Sequence, residues 1–197
     1  MTPDLDHIIL GCRDLLEGIA YVENLSGYRA AFGGSHPGRG TRNALLRIGQ
    51  ESYLEILAAD PEQNGLDWHR NIVRLSEPSL VGWAVRAANL ESLAASFRTR
   101  AIPVIGPTAG SRTSPSGDVL RWATLSRVND RDGMFPFYIK WDTAHPARSA
   151  PGQCLLLDFS GTDDSGEAGH ARSLRAVIRG QKGPFVLGSS EEKLSLP

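Results

Sequence analysis

One repeat constrains what this chain can fold into more than any other feature. Leu5-Asp6-His7-Ile8-Ile9-Leu10-Gly11 is an apolar run of strand length, and a weaker copy, Leu80-Val81-Gly82-Trp83-Ala84-Val85-Arg86, returns 75 positions later. Each copy leads into a helix-compatible segment. Asp14 stands before Leu15–Val22 and Asn89 before Leu90–Phe97, again 75 apart, and both residue types accept hydrogen bonds from the free N–H groups of a first helical turn. Two similar strand–helix units therefore open the two halves of the chain.

Three short strands are expected after each helix. In the first half these are Arg29–Phe32, Asn43–Ile48 and Ser52–Leu57, parted by Gly-Gly-Ser, Pro-Gly-Arg-Gly and Gly-Gln turns; in the second they are Ile102–Ile105, Asp118–Leu125 and Pro136–Trp141. Matching Tyr53-Leu54-Glu55 to Tyr138-Ile139-Lys140 uses an offset of 85, with the extra residues assigned to the polar run Arg127–Gly133. The predicted fold is α+β: two paired βαβββ modules, at about 3–60 and 80–142 within a domain spanning 1–150. A helical connection carrying Trp68, Ile72, Val73 and Leu75 joins them. Residues 151–197 read as a partial third module, with strands at Cys154–Phe159, Pro184–Leu187 and Lys193–Leu196 and a helix at Ala171–Ile178, packed on the sheets or at the interface of a homodimer.

Charge and apolar patterning narrow the partners. A net charge of −1 and a pI near 6.5 provide no overall field to draw in nucleic acid or an anionic membrane surface. No apolar run approaches the roughly 18 residues of a membrane span, and Met1-Thr2-Pro3-Asp4 lacks the basic start of a secretion signal, so a cytoplasmic location is expected. Cys12 and Cys154 form neither a CxxC pair nor a disulfide framework.

His7 in Leu5-Asp6-His7-Ile8 and Glu55 in Tyr53-Leu54-Glu55-Ile56, each on a module strand, together with the repeat, resemble the vicinal oxygen chelate superfamily. Its members include glyoxalase I, extradiol dioxygenases and bleomycin-resistance proteins. The run Gly33–Asn43, and Pro136–Trp141 followed by His145-Pro146, are similar to its glyoxalase-like branch. The resemblance implies half-open barrels of mixed sheet, and a divalent metal held by the first and fourth strands of both modules. Carried onto this chain, those positions are His7, Glu55, Gly82 and Lys140. Only His7 and Glu55 are donors, suited to Zn²⁺, Ni²⁺, Mn²⁺ or Fe²⁺ with water or substrate completing the shell, because glycine has no side chain and an ammonium has no lone pair. The offset instead brings Lys140 to Glu55 as a cation that neutralises it without a metal.

Other residues complete the expected cleft. His36 sits in a turn-rich run as a general base or third ligand, with Thr41 and Asn43 as neutral hydrogen-bonding groups, and Arg112, in a second turn-rich run, is placed to clamp a carboxylate or phosphate. Trp83, Trp122 and Trp141 are candidate pocket walls, although large aromatics on strands are more often core. The functional expectation is a small oxygen-bearing, anionic ligand bound in this cleft. Three versions stay open: lyase, isomerase or dioxygenase-type turnover with His7, Glu55 and His36 as catalytic groups; metal-free sequestration of the bleomycin-resistance kind; and a structural dimer with an unused cleft.

Overall fold

The computed structural model describes residues 4–63, 72–128, 135–162 and 173–189. The first module runs β1 (Leu5–Cys12), α1 (Leu15–Ser26), β2 (Ala31–His36), β3 (Thr41–Arg47) and β4 (Tyr53–Ala59). The second runs β5 (Ser79–Arg86), α2 (Leu90–Thr99), β6 (Val104–Thr113), β7 (Val119–Arg127) and β8 (Phe137–Trp141). Both are βαβββ, as the repeat requires. The helix starts are where the capping residues place them: Asp14 accepts from the N–H groups of Leu16 and Glu17, and Asn89 from that of Ser92.

All eight module strands form one sheet in the order β2-β3-β4-β1-β5-β8-β7-β6, with β1–β4 and β5–β8 parallel and the remaining pairs antiparallel. At its centre Ile8 faces Trp83, His7 faces Ala84 and Ile9 faces Gly82, a pairing symmetric about the 75-residue offset. The edge strands β2 and β6 come back toward each other, and the Arg112 guanidinium on β6 donates to the Gly33 carbonyl on β2. A Cβ on Gly34 would lie 2.6 Å from the Thr113 carbonyl oxygen, so this close approach needs a glycine there, and the φ of 133° at Gly34 needs one too.

Alternation along the strands sorts the side chains onto two faces. Ile8, Leu10, Cys12, Leu46, Leu54 and Ile56 point outward and are covered by α1, with Leu15, Ile19 and Val22 in the same core. The helix lies so close that a Cβ on Gly18 would come within 2.5 Å of the Cys12 sulfur. The inward face carries His7, Glu55 and their neighbours.

After a short 3-10 turn at Pro146–Arg148, the chain forms β9 (Leu155–Thr162), β10 (Ser173–Gly180) and β11 (Gly183–Gly188), a separate antiparallel sheet ordered β11-β10-β9. Leu174, Ala176, Ile178, Phe185 and Leu187 join the core beneath α1, so this segment seals the outer face of the barrel. The helix expected at Ala171–Ile178 is a strand from Ser173 on. Leu174, Ala176 and Ile178 are buried while Ser173 and Arg175 between them are exposed, a period of two rather than 3.6.

Two further boundaries differ from expectation. β2 continues through Gly33-Gly34-Ser35 to His36, and β6 continues through Gly110-Ser111 to Thr113, although both runs look like turns by composition. Both are edge strands with a register shift, where glycine, serine and proline cost little because one side of the ladder is unpaired. The strand expected at Lys193–Leu196 and most of the helical connection with Trp68 lie outside the described residues. Among the described residues, no helix is long and apolar enough to cross a membrane.

Candidate functional site

β1 and β4 are parallel neighbours, with His7 opposite Tyr53 and Ile9 opposite Glu55. All four face inward, and the His7 imidazole stacks on the Tyr53 ring at 4.7 Å between centroids. The His7 Nε2 reaches to 3.5 Å from Glu55 Oε2. On the other side of the carboxylate, His36 Nε2 stands 3.7 Å from Glu55 Oε1. Glu55 is 8% exposed and His7 3%, so the arrangement sits beneath the surface of the barrel.

Hydrogen bonds settle the state of His36. The Asn43 amide donates to Glu55 Oε1 at 2.5 Å, and its Nδ2 also lies 3.2 Å from His36 Nε2. An amide nitrogen has only protons to offer, so His36 Nε2 accepts and Nδ1, 2.9 Å from the Thr41 hydroxyl, carries the hydrogen. His36 is thus a neutral imidazole. Burial pushes it below its ordinary value, outweighing the upward pull of the Glu55 charge. Burial likewise lowers the Arg112 guanidinium, against the opposing pull of Glu55.

Behind His7 stands Asp6, fully buried. Strict alternation would send it to the outer face. The ladder between β1 and β5 slips between Leu5 and His7, however, so Asp6 is an extra residue with no partner and turns inward beside His7. Its Oδ1 accepts from His7 Nδ1 at 2.6 Å, and its Oδ2 takes the Trp141 indole N–H and His145 Nε2, both at 3.0 Å. Burial pushes the Asp6 carboxyl up, but the hydrogen bonds from His145 and His7 win and hold it well below the usual carboxylate range.

A cleft of about 380 Å³, bordered by His36, Arg39, Ser111, Arg121, Trp122 and Asp142, meets this network at His36, with His7 and Glu55 buried behind it. Trp122 meets His36 edge-on at 6.2 Å and packs on Trp141 at 5.4 Å.

Of the residues singled out from sequence, His7, Glu55, His36, Thr41, Asn43, Arg112 and Trp122 lie together around Glu55 and His36, and of these His36 and Trp122 line the cleft. Two others lie apart. Trp83 faces the other side of the sheet and packs against Phe159 of β9 at 5.2 Å. Lys140 is 48% exposed and points outward, 3.9 Å from Asp142. The offset of 85 that paired Lys140 with Glu55 is out of register. Ile9 lies opposite Glu55, and its repeat partner Ala84 lies opposite Phe137, so Phe137 is the counterpart of Glu55. Alternation along β8 then turns Phe137, Ile139 and Trp141 inward and Lys140 out. Phe137 meets the His7 ring edge-on at 5.4 Å.

Asp6, Tyr53, Phe137 and His145 are the site residues that sequence reasoning missed. A carboxylate inside an apolar run was the available signal for Asp6; its direction depends on the bulge. His145 and Trp141 arrive from β8 and the turn after it, and no local pattern connects them to residue 6.

Against known families, the model for a glyoxalase-like domain matches residues 5–172. No curated protein matches the chain. Among solved structures, a hypothetical protein from Staphylococcus aureus superposes with a TM-score of 0.59 at 16% identity, covering 95% of this chain and 86% of that one. Methylmalonyl-CoA epimerase from Mycobacterium tuberculosis gives 0.50 at 16% identity over 76% and 95%. A variant of the Streptomyces coelicolor epimerase in complex with 2-nitronate-propionyl-CoA gives 0.52 at 19% identity over 72% and 96%. At these identities the likeness is one of fold.

Proposed function

From the premise that this chain belongs to the glyoxalase-like domain family of the vicinal oxygen chelate superfamily, we propose that its half-barrel binds a small oxygen-bearing anion and that Glu55 moves a proton on it. One observation carries the reading: both oxygens of a single buried carboxylate face histidine Nε2 atoms, His7 at 3.5 Å and His36 at 3.7 Å. Arg39 and Arg121 border the cleft with one carboxylate, Asp142, a lining with more positive than negative side chains, and an arginine fork can meet a carboxylate or phosphate with two parallel bonds.

Proton transfer is the chemistry this set of groups supports best. Glu55 takes a proton from a carbon beside a carbonyl of the ligand and returns it to the same or the neighbouring atom, an isomerase or lyase step. The Asn43 amide donates to the carboxylate, and the Arg112 guanidinium lies close enough for their charges to couple. Epimerases are among the solved structures that share the fold, which is consistent with this class of reaction.

The superfamily's divalent metal fits this chain poorly. His7 Nε2 and Glu55 Oε2 are first-module donors, and Asp6 behind His7 is a good orienting partner for a ligating imidazole. The second-module counterparts are Gly82 and Phe137, neither with a donor atom. Among the described residues, no group of three or more His, Cys, Asp or Glu side chains is arranged to hold an ion. We derive no step through a metal.

Binding without turnover is the second reading, and the 2.5 Å bond from Asn43 favours it, since that bond already occupies Glu55 Oε1. A thermal-shift screen of matched short carboxylates, phosphates and amines, followed by NMR of each hit in deuterated buffer, tests both. The expected result is stabilisation by anions only, with deuterium entering the ligand beside its carbonyl in wild type and not in Glu55→Gln. Binding without exchange selects sequestration, and preference for amines overturns both readings.

A further inference from the structure

The Asp6 carboxylate is gripped from two sides by different modules. The first module contributes His7, through Nδ1 to Oδ1 at 2.6 Å. The second contributes Trp141 and His145, both to Oδ2 at 3.0 Å, with the Arg86 guanidinium 4.0 Å from the same oxygen. An indole nitrogen can only donate. His145 is committed as well, because its Nδ1 accepts the Ala147 N–H that starts the 3-10 turn, which leaves Nε2 to carry the hydrogen toward Asp6. Oδ2 is therefore saturated by fixed donors, and Oδ1 is left to accept from His7 Nδ1.

We infer that Trp141 and His145 are positioning residues, which act through Asp6 to set the tautomer of His7 and so decide whether its Nε2 presents a lone pair or a hydrogen to Glu55. With Nδ1–H turned to Asp6, it is the Nε2 lone pair that faces Glu55. The second module, whose counterparts of His7 and Glu55 have no polar side chain, thus contributes to the site from behind. The functional consequence rests on the proposed role of the cleft, but the tautomer itself is measurable without any ligand.

Substituting Asp6 by asparagine makes a specific demand. The donors Trp141 and His145 compel the amide to turn its oxygen toward them, so its NH₂ faces His7 Nδ1, which then has to accept. Long-range ¹H–¹⁵N correlation spectra of the full chain report this directly. Wild type is expected to show Nδ1 of His7 protonated; in Asp6→Asn the proton moves to Nε2. In Asp6→Asn combined with Trp141→Phe and His145→Leu, the amide is released to turn back, and the Nδ1–H form is recovered. A merely structural role for Trp141 and His145 predicts no difference between the last two variants, and that result overturns the inference. If the asparagine variants do not fold, exchange protection of the His7 Nδ1 proton decides instead. His145→Gln, which keeps an N–H donor, should preserve the protection and His145→Leu should lose it, whereas equal protection in both sinks the idea.

Discussion

His7 and Glu55 do not share a rung of the ladder, yet their side chains meet at 3.5 Å: His7 is paired with Tyr53 and Glu55 with Ile9, and the contact runs diagonally between parallel strands. A diagonal of this kind leaves each group its own second partner. His7 leans back on Asp6 while Glu55 leans forward to Asn43 and His36, so a line of polar groups runs through an otherwise apolar barrel.

Buried groups of opposite preference make stability depend on pH in two windows. His36 has its folded value lowered below 6.5, so the unfolded chain binds the extra proton first and stability falls as pH drops through that value. Asp6 has its folded value lowered below 3.8, so its contribution is present above that pH and is lost as pH falls further. Urea midpoints measured from pH 8 to pH 3 should decline in both ranges. His36→Gln should flatten the upper decline and leave the lower.

Lys140 lies on the outside of the barrel, so Lys140→Met should change stability by no more than about 0.5 kcal/mol, as for other surface substitutions. A double-mutant cycle with Glu55→Gln should show no coupling. A coupling energy above ~1 kcal/mol by chemical unfolding would mean that the two residues share a site after all.

Phe137 stands where the second module would supply a counterpart to Glu55, which gives Phe137→Glu a definite expectation. A carboxylate there adds a third donor facing His7. Zn²⁺ or Ni²⁺ should raise the melting temperature of Phe137→Glu relative to chelator, and by more than it raises that of wild type. Equal shifts in the two proteins would contradict the register.

Arg112 closes the barrel from β6 to β2 and lies close enough to Glu55 for their charges to couple. Removing a buried, charged hydrogen-bonding group costs about 1.5–3 kcal/mol, so Arg112→Met should destabilise by that order. Adding Glu55→Gln should recover part of the loss, because no buried carboxylate is then left without its cation. Guanidinium unfolding of the two variants makes the comparison, and strict additivity would deny the link between them.

The repeat, both helix starts and the inward faces of His7 and Glu55 were legible in the sequence because each rests on local chemistry. Asp14 and Asn89 cap whatever helix follows them, and a strand's alternation fixes the face of His7 and Glu55 once their strands are recognised. The glycine-rich run ending in His36 and the run containing Arg112 were misread as turns, since composition cannot tell a loop from an edge strand with one free side. Register was decided only in three dimensions. A slip of three residues along β8 exchanges Phe137 for Lys140 and reverses which face each occupies, while an extra residue in β1 brings Asp6 inward against the alternation. Neither can be read locally, because a bulge or an offset is set by how distant strands settle their hydrogen bonds and by which side chains the closed barrel has room to bury.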